Sequence, residues 1–443
     1  MNLPHRFLLV ITVMILACRA PIKLGQTQVM DPKVDSSINP HGMTHTVIYE
    51  LLKKYPTYFE TVTSNPENRV QIIYSQIDRR KNGRPEFTDH YFNIDDSAYF
   101  YPASTVKLPV AILALQKLNE LKIKGLDKSA TMITEAAHSG QTEVYNDPSA
   151  PDGRPTIEHY IKKILLVSDN DAFNRLYEFL GQEYINTTLH KMGYTDVQII
   201  HRLDISLTED ENRHTNPVRF FAAPSASLRP AKDTSGKVIY EKPLKESKLA
   251  YAQRDTKMGK GFYRSGELVT GPFDFSKKNR MNLKTLHNIV RSVMFPKAVS
   301  KKQRFKLTKE DYNFLRKYMS MTPPESQIGL YQTQEYWDNY VKFLYYGAEK
   351  DSSPDGLRIF NKVGDAYGFL TDAAYIIDPK NGVEFMLSAV IHCNSDEVFN
   401  DDKYDYETVG FPFMKYLGRF IYQHELNRKK QNLPDLTKFR FDY

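Results

Sequence analysis

Two cysteines, one tryptophan and no apolar run longer than the eleven residues Phe7–Ala17 are the scarcities that first bound this 443-residue chain. The run is too short to span a bilayer as a mature helix. With Cys18 lost to cleavage or blocked by acylation, Cys393 has no partner, so no disulfide is possible and stability must come from a packed core that this length can supply. No glycine-rich phosphate loop is present. Asp210, His201 and His214 lack zinc-type spacing, so no metal and no cofactor is expected.

What is present begins at the N-terminus. A short basic start, the run FLLVITVMILA and a small residue before Cys18 form the pattern of a secretory signal over 1–17. A cysteine directly after such a run resembles a bacterial lipobox, which makes Cys18 the expected lipidation site. Residues 18–41, polar with Pro and Gly, read as a tether. The expectation is an exported, envelope-attached lipoprotein, periplasmic or on the outer membrane, and a monomer.

Charge is uneven. The formal +7 conceals a block, Arg229–Lys306, holding 20 Lys and Arg against 6 Asp and Glu. Such a block is a solvated face or a contact for an anionic surface. Nucleic acid does not fit an exported protein.

Apolar spacing predicts helices over His45–Phe59, Ser104–Leu121, Ile157–Leu166, Ala172–Leu180, Leu283–Met294, Lys309–Met319 and Phe413–Asn427. Alternation and turn residues predict strands at Val70–Ile77, Thr88–Asn93, Ala373–Ile377 and Phe385–His392, the first pair joined through Lys81-Asn82-Gly83. Residues 225–280 read as an irregular insertion and 431–443 as a tail. Strands near both ends with helices between imply one sheet built from distant segments, an α/β domain of two lobes over about 42–430.

The chemistry starts at Ser104-Thr105-Val106-Lys107. A serine at a helix start with a lysine one turn later puts a hydroxyl beside a base. Lysine serves as that base only when burial or a neighbouring cation lowers its pKa, and the helix N-terminus adds donors where an oxyanion would form. Alone, S-x-x-K is expected about twice by chance in a chain this long. Ser168-Asp169-Asn170 is a rarer tripeptide, and Lys362-Val363-Gly364 precedes the late strand pair.

Taken in order, the three segments resemble the S-x-x-K, S-D-N and K-T-G set of class A β-lactamases and penicillin-binding proteins. Tyr101-Pro102-Ala103 ahead of the serine, and Arg202-Leu203-Asp204 where the family's omega loop begins, extend the resemblance. It implies an antiparallel sheet flanked by N- and C-terminal helices, with an inserted all-helical lobe spanning about 104–345. It further implies Ser104 as nucleophile, Lys107 as proton acceptor or relay, and Ser168 as proton donor to the departing nitrogen. Asn170 would bind Lys107 and the substrate amide, Asp169 would be structural, Lys362 would supply positive charge, and Gly364 would line the substrate site. Backbone N–H groups of Ser104 and Asp365 would form the oxyanion hole.

Two positions depart from the family. Val363 stands where a hydroxyl helps bind the substrate carboxylate, and Leu207 stands where a glutamate activates the deacylating water. Glu209 and Glu211 are the candidate replacements. The expected substrate is a β-lactam or related amide. The alternatives are a D,D-peptidase or transpeptidase acting on cell-wall peptides, and a non-catalytic envelope lipoprotein.

Overall fold

The computed structural model describes residues 47–222, 237–252, 254–350 and 356–443; Cys18, the leader and the tether lie outside them. Among the described residues no helix is long and apolar enough to cross a membrane.

Five antiparallel strands form the main sheet: β1 (Gln71–Arg79), β2 (Pro85–Phe92), β3 (Arg358–Ala366), β4 (Phe369–Asp378) and β5 (Val383–His392), in the order β3-β4-β5-β1-β2. The two ends of the chain therefore meet in one sheet, with β1 paired to β5 from Gln71 opposite Val390 to Gln76 opposite Phe385. The β1–β2 turn closes where expected, with Gly83 at φ 74° donating to the Arg80 carbonyl at 2.8 Å.

Strand side chains alternate between two cores, as a period of two requires. Ile72 and Tyr74 face one side with Phe59, Phe413, Leu417 and Ile421. Ile73 and Ile77 face the other with Leu286, Ile289 and Val293. Every residue of β4 and β5 is buried, because helices cover both faces. Their sequences consequently read as continuous apolar runs.

Eight helices place the site and its supports. Helices α1 (Val47–Lys54) and α2 (Pro56–Ser64) are one predicted helix broken at Pro56, which has no N–H to continue the ladder and sits at the first turn of the second. The lobe holds α3 (Lys107–Leu121), α4 (Ile157–Val167) and α5 (Asn170–Leu180), while α6 (Leu283–Met294) and α7 (Lys309–Ser320) return to the sheet. Helix α8 (Phe411–Asn427) covers the first core.

Buried polar groups tie α6 to the sheet. His287 bridges Ser75 Oγ and Ser388 Oγ, each at 2.8 Å, and Arg291 pairs with Asp89. Burial first, then the Arg291 charge, lowers the His287 pKa to about 3, so the ring is neutral.

The lobe is more than helical. Thr131–Thr134, Val218–Phe221 and Val238–Lys242 make a three-stranded sheet within it. The described part of the expected irregular insertion is built of strands of two to five residues, among them the hairpin Gly261–Arg264 and Glu267–Thr270. Strands so short show no readable alternation. Residues 431–443 also pack: Leu436 and Phe439 are buried, with Phe439 edge-on to Phe295 and Phe360.

Candidate active site

Ser104 sits in a 3-10 turn, Ala103–Val106, that leads into α3, so Lys107 is the first residue of the α-helix proper. Ala103 has φ 45°, a left-handed conformation costly for a residue with a Cβ. The turn is locked by Thr105, whose N–H and hydroxyl both donate to the Pro102 carbonyl, at 3.0 and 2.6 Å. These two hydrogen bonds hold the strained turn that carries Ser104 in place.

The second segment is a joint between two helices. Ser168 ends α4 with φ 60°, and Asp169 caps α5 by accepting the Ala172 N–H at 2.7 Å. Asp169 also lies 3.5 Å from Lys163. The kink aims Ser168 and Asn170 at Lys107, whose Nζ donates to the Ser168 carbonyl, to Ser168 Oγ at 3.3 Å and to Asn170 Oδ1 at 2.6 Å.

The third segment comes from the sheet. Lys362 on β3 donates to Ser168 Oγ at 2.8 Å and to the Val363 carbonyl at 2.9 Å. Gly364 explains how the strand gets so close: a Cβ there would stand 2.7 Å from the Pro102 carbonyl and 2.9 Å from the backbone nitrogens of Ser104 and Thr105. Only glycine allows that approach.

Burial sets the charge state. Lys107 is wholly buried, and desolvation lowers its pKa to about 7 against the opposing pull of Asp169, Asp365 and Asp204. Lys362 is also held well below the usual lysine range, by burial first and by the Lys107 charge second. Two ammoniums sharing one hydroxyl discourage each other's protonation, so near neutrality one amine is free to take a proton.

At Ser104 lies a pocket of about 360 Å³, whose lining includes Ser104, Ser168, Asn170, Val363 and Asp365 together with Trp337, Tyr340, Phe343, Glu407 and Phe411. Val363 is buried and presents methyls where a hydroxyl was expected from the family.

The two candidate glutamates are elsewhere. Glu209 pairs with Arg213 and Lys277, each at 3.0 Å, and lines a separate cleft together with Leu207. Glu211 closes a capping box with Thr208 and accepts from Ser139 at 2.8 Å. Neither lines the Ser104 pocket, because this part of the omega loop forms a one-turn helix that uses its acids as caps and ion pairs.

The carboxylate that does reach the constellation is Asp204. It stands at φ 56° and accepts from Asn170 Nδ2 at 3.3 Å. From sequence it was only the third residue of Arg202-Leu203-Asp204. The pocket aromatics Trp337 and Tyr340 had no motif to mark them either.

Of the possible metal ligands, His201 is turned inward, stacked parallel to Tyr101, with Nδ1 2.5 Å from the Arg202 carbonyl. His138, which sequence spacing did not flag, joins Asp210 and His214, and ligand atoms of the three lie within 4.8 Å of one another. They could hold a cation, but they are not part of the Ser104 pocket.

Three short segments far apart in sequence thus converge on one hydroxyl, and the first two lie within a stretch that has a known counterpart. Residues 58–228 match the beta-lactamase enzyme family. The resemblance read from the motifs is borne out over that segment, which includes Ser104, Lys107, Ser168, Asn170 and the omega loop. Solved structures similar to the chain include a beta-lactamase from Burkholderia ambifaria (13% identity, covering 82% of this chain and 98% of that one, TM-score 0.44). A class A beta-lactamase from Clostridium kluyveri (14%, 83% and 99%, 0.44) and PBP-A (14%, 85% and 95%, 0.45) are similar to it as well. No curated protein gives a match. The mixed architecture, an antiparallel sheet flanked by helices with an inserted lobe, is the one expected from the sequence.

Proposed function

We propose that the protein is a serine acyl-transfer hydrolase that forms an acyl-enzyme on Ser104 and hydrolyses β-lactams or a related amide. One observation carries the reading: the Ser168 hydroxyl lies within hydrogen-bond distance of both Lys107 and Lys362, beside a serine on a strained turn.

The chemistry follows from that arrangement. Ser104 Oγ attacks the carbonyl carbon while its proton passes to the neutral amine of Lys107, directly or through Ser168. Negative charge builds on the carbonyl oxygen, where the backbone N–H groups of Ser104 and Asp365 would meet it. The C–N bond then breaks, the departing nitrogen takes a proton from Ser168, and the lysine pair restores the Ser168 proton. Water later cleaves the Ser104 ester and releases the acid.

A second reading is favoured by a specific observation. Leu207 occupies the position of the family's deacylating glutamate, and Glu209 and Glu211 are held away from the pocket. Slow release of the acyl group would make the protein a penicillin-binding D,D-peptidase or transpeptidase for cell-wall peptides. A non-catalytic envelope lipoprotein, the third reading, does not account for the intact Ser104, Lys107, Ser168 and Asn170. In all three the protein is an exported monomer anchored through Cys18.

The test is incubation with a chromogenic β-lactam followed by intact mass. Turnover supports hydrolysis, a persistent adduct supports the peptidase, and neither supports the third. Ser104→Ala must remove the adduct; labelling that survives it would end the proposal.

A further inference from the structure

Three side chains that the Ser104 chemistry leaves unused meet where the loop after Thr131–Thr134 touches the omega loop. The rings of His138 and His214 are stacked, with centroids 3.7 Å apart and planes 14° from parallel. Asp210 reaches both: Oδ2 is 2.8 Å from His138 Nε2, and Oδ1 is 3.5 Å from His214 Nδ1. One ligand atom from each of the three lies within 4.8 Å of the other two. Sequence spacing hid the group, because His138 stands 72 residues before Asp210.

The backbone already holds the group in place. Gln141 Oε1 accepts the N–H of Ala137 at 2.9 Å and that of His138 at 3.0 Å, while its Nε2 donates to the His214 carbonyl at 3.3 Å. One side chain thus spaces the two histidines. Asp210 lies in the one-turn helix Glu209–Arg213, which the capping box of Thr208 and Glu211 fixes, and His214 follows that helix directly. His214 Nδ1 is 2.9 Å from the Asp210 carbonyl. A carbonyl only accepts, so Nδ1 carries the ring proton and Nε2 keeps the lone pair that a metal needs. Glu246, opposite His214 on the paired strand, has Oε2 4.0 Å from that Nε2.

The donor set selects the ion. Two imidazole nitrogens and a carboxylate oxygen suit a borderline-soft divalent cation such as zinc, whereas calcium and magnesium favour oxygen alone. Ligand atoms on one tetrahedral zinc stand about 3.4 Å apart at bond lengths of about 2.1 Å. Asp210 is exposed and both rings are half-buried, so side-chain rotation closes the remaining gap. His138 then ligates through Nε2, and the proton it shares with Asp210 moves to the other ring nitrogen.

We infer that His138, Asp210 and His214 bind a zinc-class divalent cation, with Glu246 or water as fourth ligand, and that the ion clamps the loop carrying His138 to the omega loop. None of the three lines the Ser104 pocket, so the inference stands apart from the acyl-transfer reading.

The test uses the full chain, stripped of metal with a chelator that is then removed. Zinc is titrated in competition with a chromogenic chelator, and cobalt(II) serves as a coloured stand-in. One zinc per chain should bind with a Kd of about 10 μM or tighter, and cobalt(II) should give a visible absorption band. Losing an outer-shell partner weakens a metal site by about 10- to 100-fold, and losing a ligand should cost at least as much. His138→Ala and Asp210→Asn should therefore each weaken zinc by at least about tenfold and abolish the cobalt band, with the circular dichroism of the metal-free chain unchanged. Saturating zinc should raise the thermal unfolding midpoint of the parent by about 2 °C or more and leave that of His138→Ala where it was. A parent chain that binds no zinc overturns the inference, and so does zinc that binds both variants as tightly as the parent. Zinc that binds the parent without raising its unfolding midpoint overturns the clamp.

Discussion

Lys362 reaches from the sheet to the helical lobe, donating from Nζ to Ser168 Oγ at 2.8 Å, and so joins two segments 194 residues apart. The same hydroxyl receives Lys107 at 3.3 Å. Ser168 is therefore the bridge between two buried amines, and a proton leaving either one can pass through it. The sheet supplies one amine and α3 the other, so the proposed relay needs the two lobes packed together.

Loss of that bridge should slow acylation without unfolding the protein. Ser168→Gly is the suitable change, because the backbone there has φ 60° and glycine adopts it freely. General acid–base groups are worth roughly 10²–10⁴ in rate. The expected result is a loss of about 10²-fold or more in the acylation rate, with an unchanged circular dichroism spectrum. A variant that acylates at the parent rate would remove Ser168 from the mechanism.

Acylation should depend on pH through Lys107. Its pKa is lowered to about 7, mainly by burial, and its neutral form is the base. The rate should consequently rise as pH increases through about 7. Asp204 favours the charged form of Lys107 and so holds its pKa up. Asp204→Asn removes that pull, and the midpoint of the acylation profile should move to lower pH. A profile that moves upward would contradict the assignment.

Much of this site was legible in the sequence, because each motif is a local device. Ser104-Thr105-Val106-Lys107 needs only one turn of helix, and Ser168-Asp169-Asn170 needs only a helix-to-helix joint with Asp169 as cap. Helix α6, with a strong apolar stripe and Asn282 as cap, was legible to the residue. The two glutamates were misplaced because charge and proximity in sequence do not reveal a capping box. Glu211 is drawn to Thr208 and Ser139, away from Ser104. The pocket aromatics were invisible for another reason. Trp337 and Tyr340 lie between elements, where no periodicity assigns a direction, and only the fold brings them into the pocket at Ser104. The strand status of Lys362-Val363-Gly364 was likewise hidden, since β3 is buried along most of its length and does not alternate.

Gly364 should be intolerant of any side chain. The methyl of Gly364→Ala would fall 2.7 Å from the Pro102 carbonyl and 2.9 Å from the Ser104 nitrogen, both backbone atoms of the locked turn. Overpacking of this kind costs about 1–3 kcal/mol. The strand or the turn must move, and either shifts the backbone of Ser104 relative to that of Asp365. Thermal unfolding should show the stability loss, and acylation by a β-lactam should fall at least tenfold. Wild-type acylation in Gly364→Ala would mean that the contact between β3 and the nucleophile turn is not needed.

The omega loop should depend on one buried ion pair. Glu178 on α5 accepts from Arg202 Nε at 2.5 Å and from the Asn216 N–H at 2.7 Å, and both charged side chains are buried. Arg202 spends its remaining donors on the carbonyls of Glu211, at 3.0 Å, and His214, at 2.8 Å. Glu178→Ala leaves the guanidinium buried and uncompensated, which costs about 3–5 kcal/mol. Replacing both partners removes both charges, so Glu178→Met with Arg202→Leu should recover part of that loss. It will not recover all of it, because the carbonyls of Glu211 and His214 lose their donors in the double variant. Denaturant unfolding of the two single variants and the double variant measures the coupling directly. A double variant less stable than Glu178→Ala alone would show that the carbonyl contacts, and not the charge pair, hold the loop that carries Asp204 to Asn170.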